Sequence, residues 1–393
     1  MEKFKKYSPQ ILAITWFAIF SLGMYFPNFA KFLGFAKGPK PFMDLQQVLS
    51  AGDCRDKTTE KLLMGECDPW SRPIPYPSWI LKLVQLVHAS NSYALIIGWI
   101  NAILIAFSIY YLARKCKQRI ILFGIAVLAP PMFFLAERGN IDSIILFLTI
   151  IFIISENRNR GPWHLWIPGV LTAFKIYPIG IFFALTKKRN FFISIVISLL
   201  LVPLWLGDLG TILGNQPHSR GWSYGNIILL TQDMDKFYPI GYIDFKITLF
   251  VALITLLIWF TAYGLAMVTL KSEIEEFIQT LEENTLGKTM FLSGSFIFLV
   301  TFVGISVGDY KLWTALLTIA ALLMLKPKSH HRLTNALIAF LLFGMWCSRY
   351  TPSYIEFFGD LSLFFAATVL FVINLQYVLK MLKNLKISTK NLS

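Results

Sequence analysis

A polytopic all-α membrane protein is the fold class that this sequence predicts, on three observations. Hydrophobic residues make up 56% of the 393 and charged residues only 15%, against about 25% in soluble domains. Apolar runs of membrane-spanning length recur from end to end, with a mean hydropathy of +0.60, and only helices or closed barrels cross hydrocarbon. The runs are continuous and do not alternate every second residue, which excludes a β-barrel.

The net charge of +14 has a topological explanation. Basic clusters stand at Lys3–Lys6, Arg114–Arg119, Arg158/Arg160, Lys187–Arg189, Lys326–Arg332 and Lys380–Lys390. Placing these and Lys271–Lys288 in the cytoplasm follows the positive-inside rule. That side then holds 21 of the 36 Lys+Arg and 7 of the 22 Asp+Glu, a net of +14, and the remaining 15 and 15 cancel. The excess charge implies contact with the lipid bilayer and no nucleic-acid partner.

In chain order, the first span runs from Ile11 to about Phe29 and exits. Tyr25-Phe26-Pro27-Asn28 follows it, with no small-residue cleavage site, so it reads as a retained helix. An external polar loop, residues 34–81, comes next, and its end at Ser78–His88 reads as an interfacial amphipathic helix. Ser92–Ala113 returns. Ile120–Leu135, interrupted by Pro130-Pro131, goes out and Ile141–Ile154 comes back. Both are short, so the turn Glu137–Asp142 sits below the outer surface.

Only about 25 residues separate Arg160 from Lys187, too few for two spans. A hairpin of half-helices over 163–186, Trp163–Phe174 and Tyr177–Leu185 with Lys175 at its tip, resolves this. Such backbone at depth must be buried in protein or line a wet cavity. A lysine there costs ~3 kcal/mol or more in lipid, so Lys175 points to a polar cavity or an anion. Phe191–Leu206 leads to a second external loop, 207–244. Phe245–Leu270 returns to an acidic amphipathic helix, Lys271–Lys288. Thr289–Val307, Leu312–Leu325, Leu333–Met345 and Leu361–Leu379 complete about ten spans plus the hairpin. The chain reads as a single integral domain, 1–393, with both termini cytoplasmic.

This topology gathers Asp44, Asp68, Arg72, Tyr76, Glu137, Arg138, Asn140, Asp142, His218, Arg220, Asp309, Lys311 and Arg349 on the external side. Intramembrane ionisable groups are costly and by default functional, which favours a site opening outward. Structural readings stand beside the functional ones. Asp44 serves equally as a helix cap, Glu137-Arg138 as an ion pair closing a hairpin, and Asp142 as the N-cap of the next helix. Asp309-Tyr310-Lys311 serves equally as an interfacial anchor, and His218 as a solvated loop residue. Cys54 and Cys67 share the first external loop; in an oxidising compartment a disulfide there would contribute ~3 kcal/mol. No metal-ligand spacing and no nucleotide-binding or hydrolase motif occurs.

An early acid after the first helix, Tyr76-Pro77 closing the loop, Glu137-Arg138-Gly139-Asn140-Ile141-Asp142, Lys175-Ile176-Tyr177-Pro178 and Asp309-Tyr310-Lys311 occur in that order. The set resembles the polyprenol-phosphate-dependent glycosyltransferases of the GT-C superfamily, most nearly the alpha-mannosyltransferase-like glycosyltransferase family 87. Two departures stand out: the family's late Tyr-Arg is Tyr310-Lys311 here, and the acid lies in a cysteine-bearing loop.

The resemblance implies a glycosyltransferase moving mannose or a similar sugar from a polyprenyl-phosphate donor to a glycan or glycolipid acceptor. It implies an outward-facing site in a bacterial inner membrane, with no cofactor and no required metal. Asp44 would be the catalytic base, inverting the anomeric centre by direct displacement. Arg138, Lys175, Lys311 and Arg220 would bind the donor phosphate. Glu137, Asn140, Asp142, Tyr76, Asp309, Tyr310 and His218 would complete the substrate site, with Trp70, Tyr76 and Trp222 as sugar platforms. The alternatives are a transporter or flippase of a lipid-linked or anionic substrate, for which broken helices also fit, and a polysaccharide polymerase or ligase.

Overall fold

A computed structural model describes residues 2–32, 41–54, 56–158, 162–185, 188–201, 203–214, 223–224, 245–303, 307–325, 331–347 and 353–390. Its regular structure is helical apart from one antiparallel pair, Ser223–Tyr224 with Val307–Gly308. Among the described residues five helices are long and apolar enough to cross a bilayer: Tyr7–Tyr25, Asn91–Lys115, Leu249–Thr269, Thr285–Val303 and Ile355–Lys383. Lys117–Val127 and Pro130–Arg138 make a sixth if counted as one bent span. The described residues are thus helical, with five to six such helices among them. Asn190–Leu201, Trp313–Met324 and Arg332–Cys347 are apolar but shorter, below the ~20 residues that a perpendicular crossing takes.

The bend of 63° in the sixth segment follows from Pro130-Pro131. The α region is disfavoured for a residue before proline, and Ala129 is extended at φ −66°, ψ 145°. The prolines then start a new helix, where a missing N–H breaks no helical bond. The redirected helix ends at Arg138 on Gly139, which is left-handed at φ 59°; glycine adopts this conformation without a Cβ penalty.

Thr285–Val303 is the most enclosed of the crossing helices, with 72% of its apolar window buried. Small residues let neighbours approach it closely. A Cβ on Gly294 would stand 2.8 Å from the Thr318 amide nitrogen, and one on Gly180 would stand 2.7 Å from that of Ile297. The hairpin and Trp313–Met324 therefore press directly onto this helix.

The hairpin differs from two α half-helices. Its first arm is Trp163–Leu165 followed by the α-helix Trp166–Phe174. Lys175 is extended at φ −150°, ψ 148°, and the second arm, Tyr177–Ala184, is a 3-10 run. Of the loop read as the first external one, 41–54 and 56–81 are described and are not open coil. They form Met43–Asp53, Thr59–Leu63 and the start of Ser78–Leu86. These pack around their own core of Ala51, Leu62, Leu63, Ile74, Tyr76, Ile80 and Leu81. A disulfide joins Cys54 to Cys67 with Cα atoms 6.2 Å apart. The helix Lys271–Glu283 buries Ile274, Phe277, Ile278 and Leu281 and leaves Glu275 and Glu282 exposed.

Candidate active site

Phe42 joins the 34–81 loop to the Glu137–Asp142 turn. Its amide donates to the Glu137 carbonyl at 2.9 Å, while its own backbone is left-handed at φ 58°. A bulky residue held there costs about 1–3 kcal/mol and persists only when its surroundings over-determine it. Here the ring is fully buried, lies edge-on to Trp99 and covers Gly98, where a Cβ would fall 2.3 Å from ring carbons. A Cβ on Gly139 would likewise meet that of Phe42 at 3.0 Å. The loop is therefore seated on the turn with little freedom, and the next residues, Met43 and Asp44, start a helix directly over Arg138.

Asp44 is 8% exposed. Its Oδ1 accepts from Arg138 Nη2 at 2.5 Å and from Arg72 Nη1 at 3.5 Å, and its Oδ2 accepts from Asn140 Nδ2 at 2.8 Å. Burial raises the Asp44 pKa, but the Arg138 guanidinium, its hydrogen bond, that of Asn140 and the Arg72 charge together hold the carboxyl below the ordinary 3.8. Arg138 thus pairs across to Asp44, and the closing ion pair read into Glu137-Arg138 gives way to a longer-range one. Glu137 itself is buried.

A second cluster adjoins the first through Asn140. Lys175 Nζ donates to Asn140 Oδ1 at 2.9 Å and lies 3.0 Å from Asp142 Oδ1. The same asparagine oxygen accepts the Asp142 amide at 3.1 Å. Asn140 therefore caps the turn, and Asp142 is the first residue of the helix Asp142–Asn157 and not its cap. Asp142 is fully buried, and the Tyr177 hydroxyl donates to its Oδ1. Its Oδ2 is buried with no hydrogen-bond partner among the described residues. Lys175 Nζ stands 5.0 Å from the Tyr76 ring centroid, and Lys311 Nζ stands 5.1 Å from that of Tyr177; both are cation–π distances. Burial, then repulsion from Lys175, lowers the Lys311 pKa from 10.5 to about 8, with Asp142 opposing. Burial and the charges of Asp44 and Asp142 push the Tyr76 phenol well above 10.

Seven of the residues picked from the sequence thus lie together: Asp44, Tyr76, Arg138, Asn140, Asp142, Lys175 and Lys311. His218, Arg220 and Trp222 fall outside the described residues. Asp309 and Tyr310 belong to the turn Asp309–Leu312, but only its Lys311 and Leu312 have described side chains. The strand pair Ser223↔Gly308 and Tyr224↔Val307 brings one piece of the 207–244 loop beside that turn. Asp68, Arg72 and Tyr177 join the cluster without having been assigned a role. Asp68 and Arg72 were visible only as external charges, and Tyr177 only as part of a motif. Among the described residues, no three His, Cys, Asp or Glu are grouped to hold a metal ion. No family model, curated protein or solved structure matches this chain.

Proposed function

We propose that this chain is a membrane glycosyltransferase, transferring mannose or a similar sugar from a polyprenyl-phosphate donor to a glycan or glycolipid acceptor. The carrying observation is the buried Lys311 and the partly buried Lys175, close enough to repel each other and both drawn to the carboxylate of Asp142. Two like charges around one carboxylate, linked to a third cation, Arg138, through Asn140 and Asp44, form a site that an added anion would relieve. A phosphate is such an anion, and Asp44 lies next to it as a base for an acceptor hydroxyl. In this reading the phosphate takes Arg138, Lys175 and Lys311, with Arg220 from the second external loop. The sugar lies toward Asn140, Tyr76 and Trp70, with Glu137, Asp309, Tyr310 and His218 around it.

About ten spans plus the hairpin, one domain, both termini cytoplasmic and the site facing outward from a bacterial inner membrane belong to the same proposal. The short helices Asn190–Leu201, Trp313–Met324 and Arg332–Cys347 would cross as tilted or paired segments, leaving a groove for the polyprenyl chain. The family 87 resemblance supports this assignment through the segments that supply Asp44, Glu137–Asp142, Lys175–Pro178 and Lys311.

Purified protein incubated with a panel of polyprenyl-phosphate sugars and read by mass spectrometry tests the proposal. A glycosidic product with release of polyprenyl phosphate is expected. Donor movement across liposomes with no product would sink the transferase reading in favour of a transporter.

The pH dependence is a second expected result. Lys311 binds an anion only when protonated, so donor affinity is full below pH 8 and falls as pH rises through about 8. The Lys311→Arg variant keeps its charge, because arginine does not deprotonate in this range, and should lack that fall in donor KM. An identical pH profile in both proteins rules Lys311 out. By linkage, the native state binds fewer protons than the unfolded chain between about 8 and 10.5. The Lys311 contribution to stability therefore rises with pH across that window.

A further inference from the structure

We infer that Arg72 is a second phosphate ligand, and that Arg72 and Arg138 form a guanidinium clamp which holds Asp44 at rest and releases it when the donor phosphate enters. The inference rests on the transferase reading above.

Arg72 is built in from several directions. Its Nε and Nη2 donate to Asp68 Oδ2 and Oδ1 at 3.0 and 2.9 Å, a bidentate pair, and Nη2 also donates to the Met43 carbonyl at 2.7 Å. Asp68 Oδ2 accepts the backbone amides of Trp70 and Arg72 as well, at 3.1 and 2.9 Å. Gln47 Nε2 donates to the Arg72 carbonyl at 3.3 Å and the Pro73 carbonyl at 2.9 Å. The guanidinium lies 4.8 Å from the Trp70 ring centroid. Cys67, just before Asp68, is tied by its disulfide to the end of the helix that carries Asp44. This framework leaves Nη1 as the uncommitted arm, with one long bond of 3.5 Å to Asp44. The Arg72 side chain keeps 24% of its surface exposed, so a ligand can reach it.

Asp44 Oδ1 accepts from both guanidiniums at rest, so that oxygen is open to a proton only when one of them lets go. A phosphodiester between the guanidiniums offers each of them an oxygen of its own in place of the single shared one, in charge-assisted bonds. Drawing them off Oδ1 frees that oxygen for the acceptor hydroxyl. In the transfer, the acceptor oxygen bonds to the anomeric carbon and the bond from that carbon to the phosphate oxygen breaks. The electron pair leaves with the phosphate and the hydroxyl proton goes to Asp44. The phosphate charge goes from −1 to −2 while Asp44 goes from −1 to neutral. The two arginines therefore face the same total of −2 before and after, which one arginine would leave half-compensated. The donor must bind before the acceptor.

The test uses full-length protein in lipid nanodiscs, with polyprenyl monophosphate as the binding probe and the active donor for kinetics. Arg72→Ala should weaken probe binding and raise donor KM at least tenfold, with acceptor KM within twofold of wild type. Arg72→Lys, which keeps the charge and loses the fork, should recover part of the loss; a monodisperse Arg72→Lys keeps the test decisive if the alanine variant does not fold. An unreactive acceptor analogue should bind wild type only when the probe is present. Unchanged probe binding in both variants, or analogue binding equally tight without the probe, overturns the clamp. If wild type transfers no sugar and the Arg72 effect on probe binding persists, the transferase reading falls and the anion clamp stands.

Discussion

Asp44→Asn is expected to lower kcat by about 10²- to 10⁴-fold, the usual contribution of a positioned general base, while leaving donor binding within a few-fold of wild type. Asparagine keeps an oxygen toward Arg138 but cannot take a proton. Its neutrality also removes competition for Arg138, so donor KM should stay level or fall. The resting carboxyl is already held ionised by Arg138, Asn140 and Arg72 against its burial. Its contribution to stability is therefore present above pH 3.8 and lost as pH falls below that value. A carboxylate so stabilised is a weak base, and it strengthens only when the guanidiniums move to a phosphate. Steady-state kinetics on Asp44→Asn and wild type settle the role: undiminished kcat removes Asp44 from the chemistry, and lost donor binding makes it a structural anchor instead.

Much of the cluster was legible because charged groups stand out in an apolar sequence. Lys175 has apolar neighbours on both sides, and Glu137–Asp142 interrupts two short helices; each needed a polar destination. The partners were not legible. Lys175 meets Asn140 from 35 residues away and Asp142 from 33, and Arg138 meets Asp44 from 94 away. Such pairings depend on which turn each segment reaches, and sequence spacing does not encode that. Arg72 and Asp68 escaped assignment for the opposite reason: in a polar loop their charges need no explanation, and only the folded cap shows that they are half-buried or buried. The helices were read more easily than the spans. A run such as Trp313–Met324 is recognisably apolar, but whether 12 residues cross a bilayer depends on tilt and neighbours. The 3-10 arm Tyr177–Ala184 was also hidden, since its apolar composition suits an α-helix equally well.

Lys175→Met should destabilise the protein by about 3–5 kcal/mol, the range for removing one partner of a buried ion pair. Asp142 is fully buried, and the variant would leave its carboxylate with the Tyr177 hydroxyl, its own capped turn and a weakened cationic environment. Asp142→Asn alone should also be destabilising, because it brings Lys175 and Lys311 into direct repulsion with no carboxylate between them. The double variant, Lys175→Met with Asp142→Asn, removes both charges and should recover most of the loss, giving a coupling energy of opposite sign to the single effects. Thermal unfolding in detergent supplies the stabilities, and donor binding supplies the second axis. Should the double variant regain stability yet bind donor at least tenfold more weakly than wild type, Lys175 contributes to anion binding beyond holding the fold. Recovery of both together would reduce Lys175 to a structural counter-ion of Asp142 and move the phosphate toward Arg138 and Lys311 alone.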